Sequence, residues 1–185
     1  MNKRTIAATS EWYKFNHLFK RLEIPAKTML LREGEISKNA YLVEKGCLRT
    51  WFNNDGIDIT TQFFFEGEGV SSIESFRTNG PSLYSIESIE PSIIQFISKK
   101  DFEFVLDSSP NIKMEMENHL FNRFVHCQKL LLSHIKDSPQ ERYIQILQQR
   151  PDIIKRIPQH YIASYLGITK VHLSRIKSKL VRKGA

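Results

Sequence analysis

Two short apolar stripes separated by a glycine lie near the end of the sequence, and they constrain the fold more than any other feature. The first stripe consists of Ile162, Ala163 and Leu166. Their spacing places them on one side of a short helix, and Gly167 follows where a helix end favours a residue that tolerates positive φ. Thr169 can cap a second helix. The apolar positions of that second helix are Leu173, Ile176 and Leu180. This arrangement predicts a helix-turn-helix.

The second helix is predicted to carry a polar and basic side opposite its apolar stripe. At about 100° per residue, that side contains Val171, Ser174, Arg175, Ser178 and Arg182, with Lys170 next to it. No acidic residue occurs from Gln159 to the end of the chain. The alternative is a solvated C-terminal helix with ordinary surface lysines. The glycine turn, the two stripes and the missing acids agree with one another and favour a nucleic-acid interface.

The net charge of the chain, +7, is distributed unevenly along the sequence. From Lys136 onward there are six Lys and five Arg against three acids, a balance of +8, whereas residues 1–135 have a balance of −1. The positive excess therefore belongs to the segment that contains the predicted helix-turn-helix. Such an asymmetry indicates a polyanionic partner.

Composition and simple patterns exclude several classes of protein. No apolar run approaches twenty residues, so no membrane partner is expected. Residues 1–10 lack the apolar core of a signal peptide, which predicts a cytoplasmic location. Two distant cysteines have no zinc-site spacing and cannot hold an iron–sulfur cluster alone. No nucleophile signature and no clustered His, Asp and Glu motif is present, so we do not expect an enzyme.

The N-terminal half has two kinds of periodicity. Residues 11–22 have an amphipathic helix pattern. Residues 26–97 then alternate with a period of two, interrupted by turn residues such as Asn53-Asn54-Asp55-Gly56, a strong hairpin signal. Many short strands with glycine turns predict an antiparallel sandwich or jelly roll of about seventy residues. Helix periodicity returns in a short segment, residues 101–106.

Residues 111–135 contain neither Gly nor Pro and predict one long helix. One stripe consists of Met116, Leu120, Phe124, Cys127 and Leu131, and a second of Met114, Phe121, Val125 and Leu132. Two stripes need two partners, so one side is expected to pack on the sheets and the other on a second subunit. The alternative is that both are buried within one chain. His119, His126 and His134 lie along one side of this helix, a pattern compatible with haem or metal sensing, although surface histidines are commoner and no metal site is predicted.

The remaining segment begins with an interruption at Lys136-Asp137-Ser138-Pro139 that indicates a hinge. Residues 138–149 predict a helix in which Ser138 and Glu141 form a capping box. Residues 153–157 are apolar enough for a short strand of a wing. The predicted domains are therefore residues 1–110, a long helix over residues 111–135, and a DNA-binding domain over residues 136–185.

A sheet domain, a long connecting helix and a C-terminal helix-turn-helix, in this order, resemble the Crp/Fnr family of bacterial transcription regulators. The resemblance is most specific in residues 162–169 and in Leu173-Ser174-Arg175-Ile176. It implies an α+β protein with an N-terminal antiparallel jelly roll of the cyclic-nucleotide-binding type, a long dimerisation helix and a C-terminal winged helix-turn-helix.

The resemblance also implies a homodimer that binds double-stranded DNA at a near-palindromic operator, with RNA polymerase as a further partner. Arg175 matches the family's base-contacting arginine, and Lys170 a position that often holds another arginine. Val171 departs from the glutamate common there; valine cannot accept a hydrogen bond from cytosine N4 but can contact a thymine methyl group. The expected DNA contacts are Gln159, His160, Thr169, Lys170, Val171, His172, Ser174, Arg175 and Ser178.

The effector pocket implied by the resemblance lies within residues 69–85. Members that bind cyclic nucleotides use a Gly-Glu pair and an arginine there, whereas this chain has Ser71 and Ser72 for the pair and Ser82 near the arginine position. A cyclic phosphate without an opposing charge is costly to bury, so cyclic AMP is not expected as the ligand. The candidate pocket residues are Ser71, Ser72, Glu74, Arg77 and Ser82, with Arg77 a candidate to replace the missing arginine. No cofactor is predicted. Two alternatives stay open: an unidentified small-molecule effector, or a regulator that needs no ligand.

These observations predict a DNA-binding transcription regulator. The alternative is a cyclic-nucleotide-binding or small-molecule-sensing adaptor without specific DNA recognition, in which the basic segment is merely solvated. The charge distribution and the polar side of the second helix argue against that alternative.

Overall fold

A computed structural model describes residues 11–182 of the chain. Contacts divide the described residues into two compact units: the first contains residues 11–52 and Gln62–Phe121, and the second contains Asn53–Thr61 and residues 122–182. The domain boundaries proposed from the sequence stay a prediction. Residues 1–10, on which the expectation of no signal peptide depends, lie outside the described part.

The strands in the described part of the chain lie between residues 20 and 98. They are β1 Lys20–Ile24, β2 Met29–Leu31, β3 Asn39–Lys45, β4 Leu48–Asn54, β5 Ile57–Phe64, β6 Gly69–Val70, β7 Ser85–Ser88 and β8 Ser92–Ser98. They form two four-stranded sheets with the orders β1-β8-β3-β6 and β2-β7-β4-β5. The pairs β1–β8, β3–β8 and β4–β7 are antiparallel. The predicted antiparallel architecture is confirmed.

The interior of the first unit is a cluster of buried apolar side chains contributed by both sheets. It comprises Ile24, Leu31, Tyr41, Val43, Leu48, Phe64, Val70, Ile86 and Ile94. Alternation along β4 and β7 directs Leu48 and Ile86 into this core, so their neighbours Arg49 and Glu87 lie on the other face of the sheet. This period of two is the pattern that predicted strands here.

The prediction of one helix over residues 11–22 is wrong at its C-terminal end. A 3-10 helix covers Glu11–Leu18, and Lys20–Ile24 form β1, which pairs with β8 along its whole length. Only Ile24 of β1 is buried, so the local sequence has little strand pattern. Pairing with a strand some seventy residues later determines the structure of this segment.

Helices lie between β6 and β7 and after β8. α1, Ile73–Thr78, lies between β6 and β7, α2 covers Lys99–Ser108, and α3 covers Pro110–Lys136. A second apolar cluster joins Trp12, Ile97, Val105 and Ile112, with Met116 of α3 packed against it. The predicted long helix is confirmed and is extended by one residue at each end.

The second unit contains the tip of the β4–β5 hairpin and four helices. The helices are α4 Pro139–Gln149, α5 Pro151–Arg156, α6 Gln159–Tyr165 and α7 Lys170–Arg182. The predicted capping box of α4 is present, since the Ser138 N–H donates to Glu141 Oε2 at 2.7 Å and the Glu141 N–H to Ser138 Oγ at 3.3 Å. The interruption between α3 and α4 also lies at the predicted position.

The prediction of a wing strand at residues 153–157 is wrong. Pro151 begins α5 instead, a position that suits a residue without an N–H. Ile153 and Ile157 are both buried, and their separation of four residues places them on one side of a helical turn. Among the described residues no strand follows β8, so the winged part of the predicted fold is not present there.

Candidate nucleic-acid interface and effector pocket

The turn between α6 and α7 has the geometry of a helix-turn-helix. Gly167 has φ 66°. This conformation is energetically unfavourable for a residue that has a Cβ atom. The Ile168 N–H donates to the Ala163 carbonyl at 3.0 Å and the Gly167 N–H to the Ser164 carbonyl at 3.0 Å, which closes the end of α6. Thr169 caps α7, because its Oγ1 accepts from the His172 N–H at 3.2 Å. Glycine turn and cap were both predicted.

Buried apolar residues hold α6 and α7 in place. Both predicted stripes are buried: Ile162, Ala163 and Leu166 on α6, and Leu173, Ile176 and Leu180 on α7. The two preceding helices also contribute buried apolar residues: Tyr143 and Ile146 in α4, Ile153 in α5, and Ile157 at the C-terminal end of α5. The stripes therefore fix which side of α7 faces the solvent.

All nine predicted DNA contacts are exposed. They are Gln159 and His160 at the start of α6, Thr169 before α7, and Lys170, Val171, His172, Ser174, Arg175 and Ser178 on α7. Ser174, Arg175 and Ser178 line a surface depression of about 530 Å³ together with Lys179 and Arg182. Because no acid occurs from Gln159 onward, the polar groups on the exposed face of α7 are Lys and Arg side chains, hydroxyl groups and the His172 imidazole, with no carboxylate among them. Such a face complements phosphate and base acceptors.

Arg142 of α4 supports the helix-turn-helix and was not predicted. Its Nη2 donates to the Leu166 carbonyl at 2.8 Å, at the C-terminal end of α6, and its Nη1 donates to the Asp137 carbonyl at 2.7 Å, in the interruption after α3. A cation at a helix C-terminus is favourable because the unpaired carbonyl groups carry partial negative charge. One side chain thus links the predicted hinge to the turn before α7.

The tip of the β4–β5 hairpin also contacts α6. The Thr60 N–H donates to Ser164 Oγ at 2.8 Å, and Ser164 Oγ donates to the Asp58 carbonyl at 2.6 Å. The tip itself is a tight turn in which Asp55 and Gly56 have φ of 50° and 86°. The sequence around Ser164 predicts the helix α6, but it contains no local pattern that predicts a contact with the hairpin tip.

The candidate effector pocket contains two buried serines that bond to each other. Ser72 precedes α1, and Ser82 lies between α1 and β7. The two hydroxyl oxygens are 2.8 Å apart and both residues are almost fully buried. Ser82 Oγ also donates to the Tyr84 carbonyl at 2.6 Å, and the Tyr84 hydroxyl donates to the Ser71 carbonyl at 3.0 Å. These contacts satisfy the polar groups internally.

Glu74 and Arg77, the charged candidates of the pocket, lie on the exposed side of α1. The buried residues of α1 are Ser75 and Phe76 instead. Arg77 is the one basic residue of the segment 69–85. The structure therefore brings Ser71, Ser72 and Ser82 together, and it places Glu74 and Arg77 on the solvent side of α1.

A buried ion pair in the sheets was not predicted. Arg49 of β4 and Glu87 of β7 are register partners, and Arg49 Nη2 lies 2.7 Å from Glu87 Oε2, with the guanidinium carbon 4.8 Å from the centre of the Trp51 ring. The Arg49 side chain is 2% exposed. Its charge is opposed by Glu87, so this arginine is not a ready replacement for a phosphate-binding one.

The long helix α3 exposes much of its apolar surface within a single chain. Leu120, Phe124 and Leu131 of the first stripe are exposed, and so are Met114, Phe121 and Leu132 of the second. Ile135 is also exposed, and Met116 contacts the second apolar cluster. The alternative that both stripes are buried within one chain is wrong.

Two further features bear on the class of protein. Within residues 11–182 no helix is long and apolar enough to cross a membrane. The same part of the chain contains no group of three or more His, Cys, Asp or Glu side chains placed to hold a metal ion.

Comparison with protein families assigns the sheet part of the chain. The sequence model of the cyclic nucleotide-binding domain matches residues 21–109, which begin in β1 and end after α2. No curated protein matches the chain by sequence.

Solved structures match the chain over nearly its whole length. The regulator CLP of Xanthomonas campestris, described as responsive to c-di-GMP, has a TM-score of 0.75 at 16% identity, covering 93% of this chain and 91% of its own. FixK2 of Bradyrhizobium japonicum has a TM-score of 0.77 at 16% identity, covering 90% and 86%. A transcriptional regulator of the Crp/Fnr family from Eubacterium rectale has a TM-score of 0.73 at 17% identity, covering 95% and 84%. Residues 21–109 therefore match the cyclic nucleotide-binding domain family, and the chain has the fold of the Crp/Fnr transcriptional regulators.

Proposed function

We propose that this protein binds double-stranded DNA sequence-specifically as a homodimer and thereby regulates transcription. The observation that carries the proposal is the exposed face of α7: it is basic, contains no acid, and lies opposite a buried apolar stripe. A regulator fold alone does not require DNA recognition. The chemistry of this face is what favours it over an adaptor without DNA binding.

In the proposed complex α7 enters the major groove and α6 crosses the phosphate backbone. Arg175 donates to guanine O6 and N7 with two parallel N–H groups, a geometry that its planar fork permits. Gln159 and His160, at the N-terminus of α6, bind phosphate, as does His172. Lys170, Thr169, Ser174 and Ser178 complete the contact surface around Arg175.

The homodimer is proposed to form through α3. Its exposed apolar side chains include Leu120, Phe124 and Leu131, which recur at spacings of four and seven residues. Such a row of exposed leucine and phenylalanine is unfavourable in water and is typical of helices that pair in parallel. A twofold dimer presents two α7 helices to successive major grooves about 34 Å apart, which predicts a near-palindromic operator.

The sheet domain is proposed not to bind cyclic AMP in the usual way. The hydroxyl groups of Ser72 and Ser82 satisfy each other, and Arg77 is directed to solvent on α1. A cyclic phosphate bound at Ser72 would meet no opposing charge among residues 69–85 other than that of Arg77. A different small molecule, without an anionic phosphate at that place, is the expected effector.

The experiment that tests DNA recognition is recovery of the genomic or randomised fragments that the full chain binds. We expect a consensus with twofold symmetry and half-sites about 10 base pairs apart. Recovered fragments without any shared sequence would contradict the proposal and favour the adaptor.

The dimer is tested by sedimentation equilibrium of Phe124→Asp, because a buried charge opposes pairing of α3. We expect dimer for the natural chain and monomer for this variant. Asn122→Asp, at an exposed polar position about 160° around the helix from Phe124, serves as the control and stays dimeric. Monomer in all three proteins would contradict the dimer.

Cyclic AMP binding is tested by calorimetry of the full chain. We expect no saturable heat at micromolar nucleotide. A clear micromolar isotherm that Arg77→Gln abolishes would show that Arg77 replaces the missing arginine, which contradicts the proposal for Ser72 and Ser82.

A further inference from the structure

Val171 is an apolar side chain in the middle of an otherwise polar surface. It is the second residue of α7, and 61% of it is exposed. Its neighbours one turn away on the exposed side are Ser174 and Arg175. An exposed valine is unremarkable by itself, so its position on the helix has to carry the argument.

Val181 is a second exposed valine on α7, at 77% exposure, and makes a useful comparison. With about 100° per residue, Val171 lies opposite the centre of the buried stripe and within about 40° of Arg175. Val181 lies about 80° around the helix from Val171, in the direction away from Arg175, and it belongs to the last turn of α7. Since recognition helices contact base edges with their N-terminal residues, Val171 occupies a base-contacting position and Val181 does not.

Only one base offers an apolar partner in the major groove. Thymine carries a C5-methyl group, whereas the other groove-edge groups are hydrogen-bond donors and acceptors. Valine can neither accept from cytosine N4 nor donate to guanine. No carboxylate is available elsewhere on α7 either, because the helix contains no acid.

We propose that Val171 packs against the C5-methyl group of a thymine and makes that thymine a specificity determinant of each half-site. The inference depends on the proposed function, because it names the base that the same surface selects. Val171 and Arg175 are four residues apart, about 6 Å along the helix axis. Since successive base pairs are about 3.4 Å apart, the thymine lies within two base-pair steps of the guanine bound by Arg175.

The test uses the full chain and a duplex with the consensus recovered in the selection experiment. Each thymine of the duplex is replaced in turn by uracil, which has the same hydrogen-bonding groups but lacks the methyl group. We expect one position per half-site at which uracil weakens binding, by roughly fourfold for one half-site and roughly fifteenfold for both.

Two variants identify the side chain that contacts the methyl group. Val171→Ser removes both methyl groups of the side chain at an exposed position, so the fold is retained, and the variant should bind the thymine and uracil duplexes equally. Val181→Ser is the matched control on the same helix and should keep the preference for thymine.

The outcomes separate this inference from the proposed function. If a consensus is recovered but no uracil substitution distinguishes the natural chain from Val171→Ser, the thymine contact is refuted and DNA recognition stands. Loss of the thymine preference in Val181→Ser alone would also refute it. If no consensus is recovered at all, both the proposed function and this inference are overturned.

Discussion

Replacing Arg175 by alanine should remove most of the discrimination between DNA sequences without unfolding the protein. Arg175 is exposed on the side of α7 opposite the buried stripe, so its truncation removes no core packing and should change the free energy of unfolding by less than about 0.5 kcal/mol. A bidentate arginine–guanine pair contributes about 1–3 kcal/mol of discrimination. Two copies of α7 in a dimer double this to about 2–6 kcal/mol, or roughly 30-fold to 10⁴-fold in the ratio of specific to non-specific affinity.

The assay is fluorescence anisotropy with the recovered operator and a scrambled duplex of the same length, at several salt concentrations. Because Arg175 is proposed to contact a base and not a phosphate, Arg175→Ala should leave the slope of log affinity against log salt nearly unchanged. Arg175→Lys keeps the charges but lacks the planar fork, so it should keep the slope and lose most of the discrimination.

A basic position outside the nine predicted contacts, which we expect to contact phosphate, provides the control. Lys179 is exposed one turn after Arg175, and Lys179→Ala should weaken binding to both duplexes about equally. The assignment of Arg175 as the base-contacting residue is refuted if Arg175→Ala keeps the natural affinity ratio, or if Arg175→Lys keeps it in full.

Three other predictions concern the stability of the second unit, measured by urea unfolding. Leu173→Ala deletes a fully buried side chain and should cost about 2–5 kcal/mol, whereas Val181→Ala, at an exposed site, should be neutral. Ser164→Ala removes both hydrogen bonds to the hairpin tip and should cost about 1–3 kcal/mol; an unchanged midpoint would show that the tip does not support α6. The hydrogen bond from the Ser138 backbone lowers the pKa of the Glu141 carboxyl, so its stabilisation is present above the unfolded pKa and is lost as pH falls through the folded pKa. Glu141→Gln should therefore lose part of the natural protein's acid sensitivity, and an identical pH profile would contradict this.

Features with a local cause were predictable from the sequence. The stripes of α6 and α7 follow from helix spacing, and each predicted apolar position is buried. The α4 capping box joins residues only three apart, and the turn at Gly167 needs a residue that tolerates positive φ. For the candidate interface, exposure of the nine predicted side chains follows once those stripes are known.

Features with a distant cause were not predictable. β1 has one buried residue and is a strand because β8 pairs with it. A short apolar run such as residues 153–157 is compatible with a strand and with a helical turn. Pro151, two residues before this run, and packing against the other helices favour the helical turn. The hydrogen bond between Ser72 and Ser82 joins two loops, and neither loop has a pattern that requires it.

The contact of Ser164 with the hairpin tip has a consequence for how the protein is synthesised. The two hydrogen bonds span 104 and 106 residues, so at translation rates of roughly 5–20 residues per second the hairpin waits about 5–20 s for α6 to be made. A fragment that begins at residue 122 carries all of α6 and α7 but lacks the segment 53–61. Such a fragment should fold less stably than the same helices in the whole chain, and a separately added hairpin peptide should restore part of the difference.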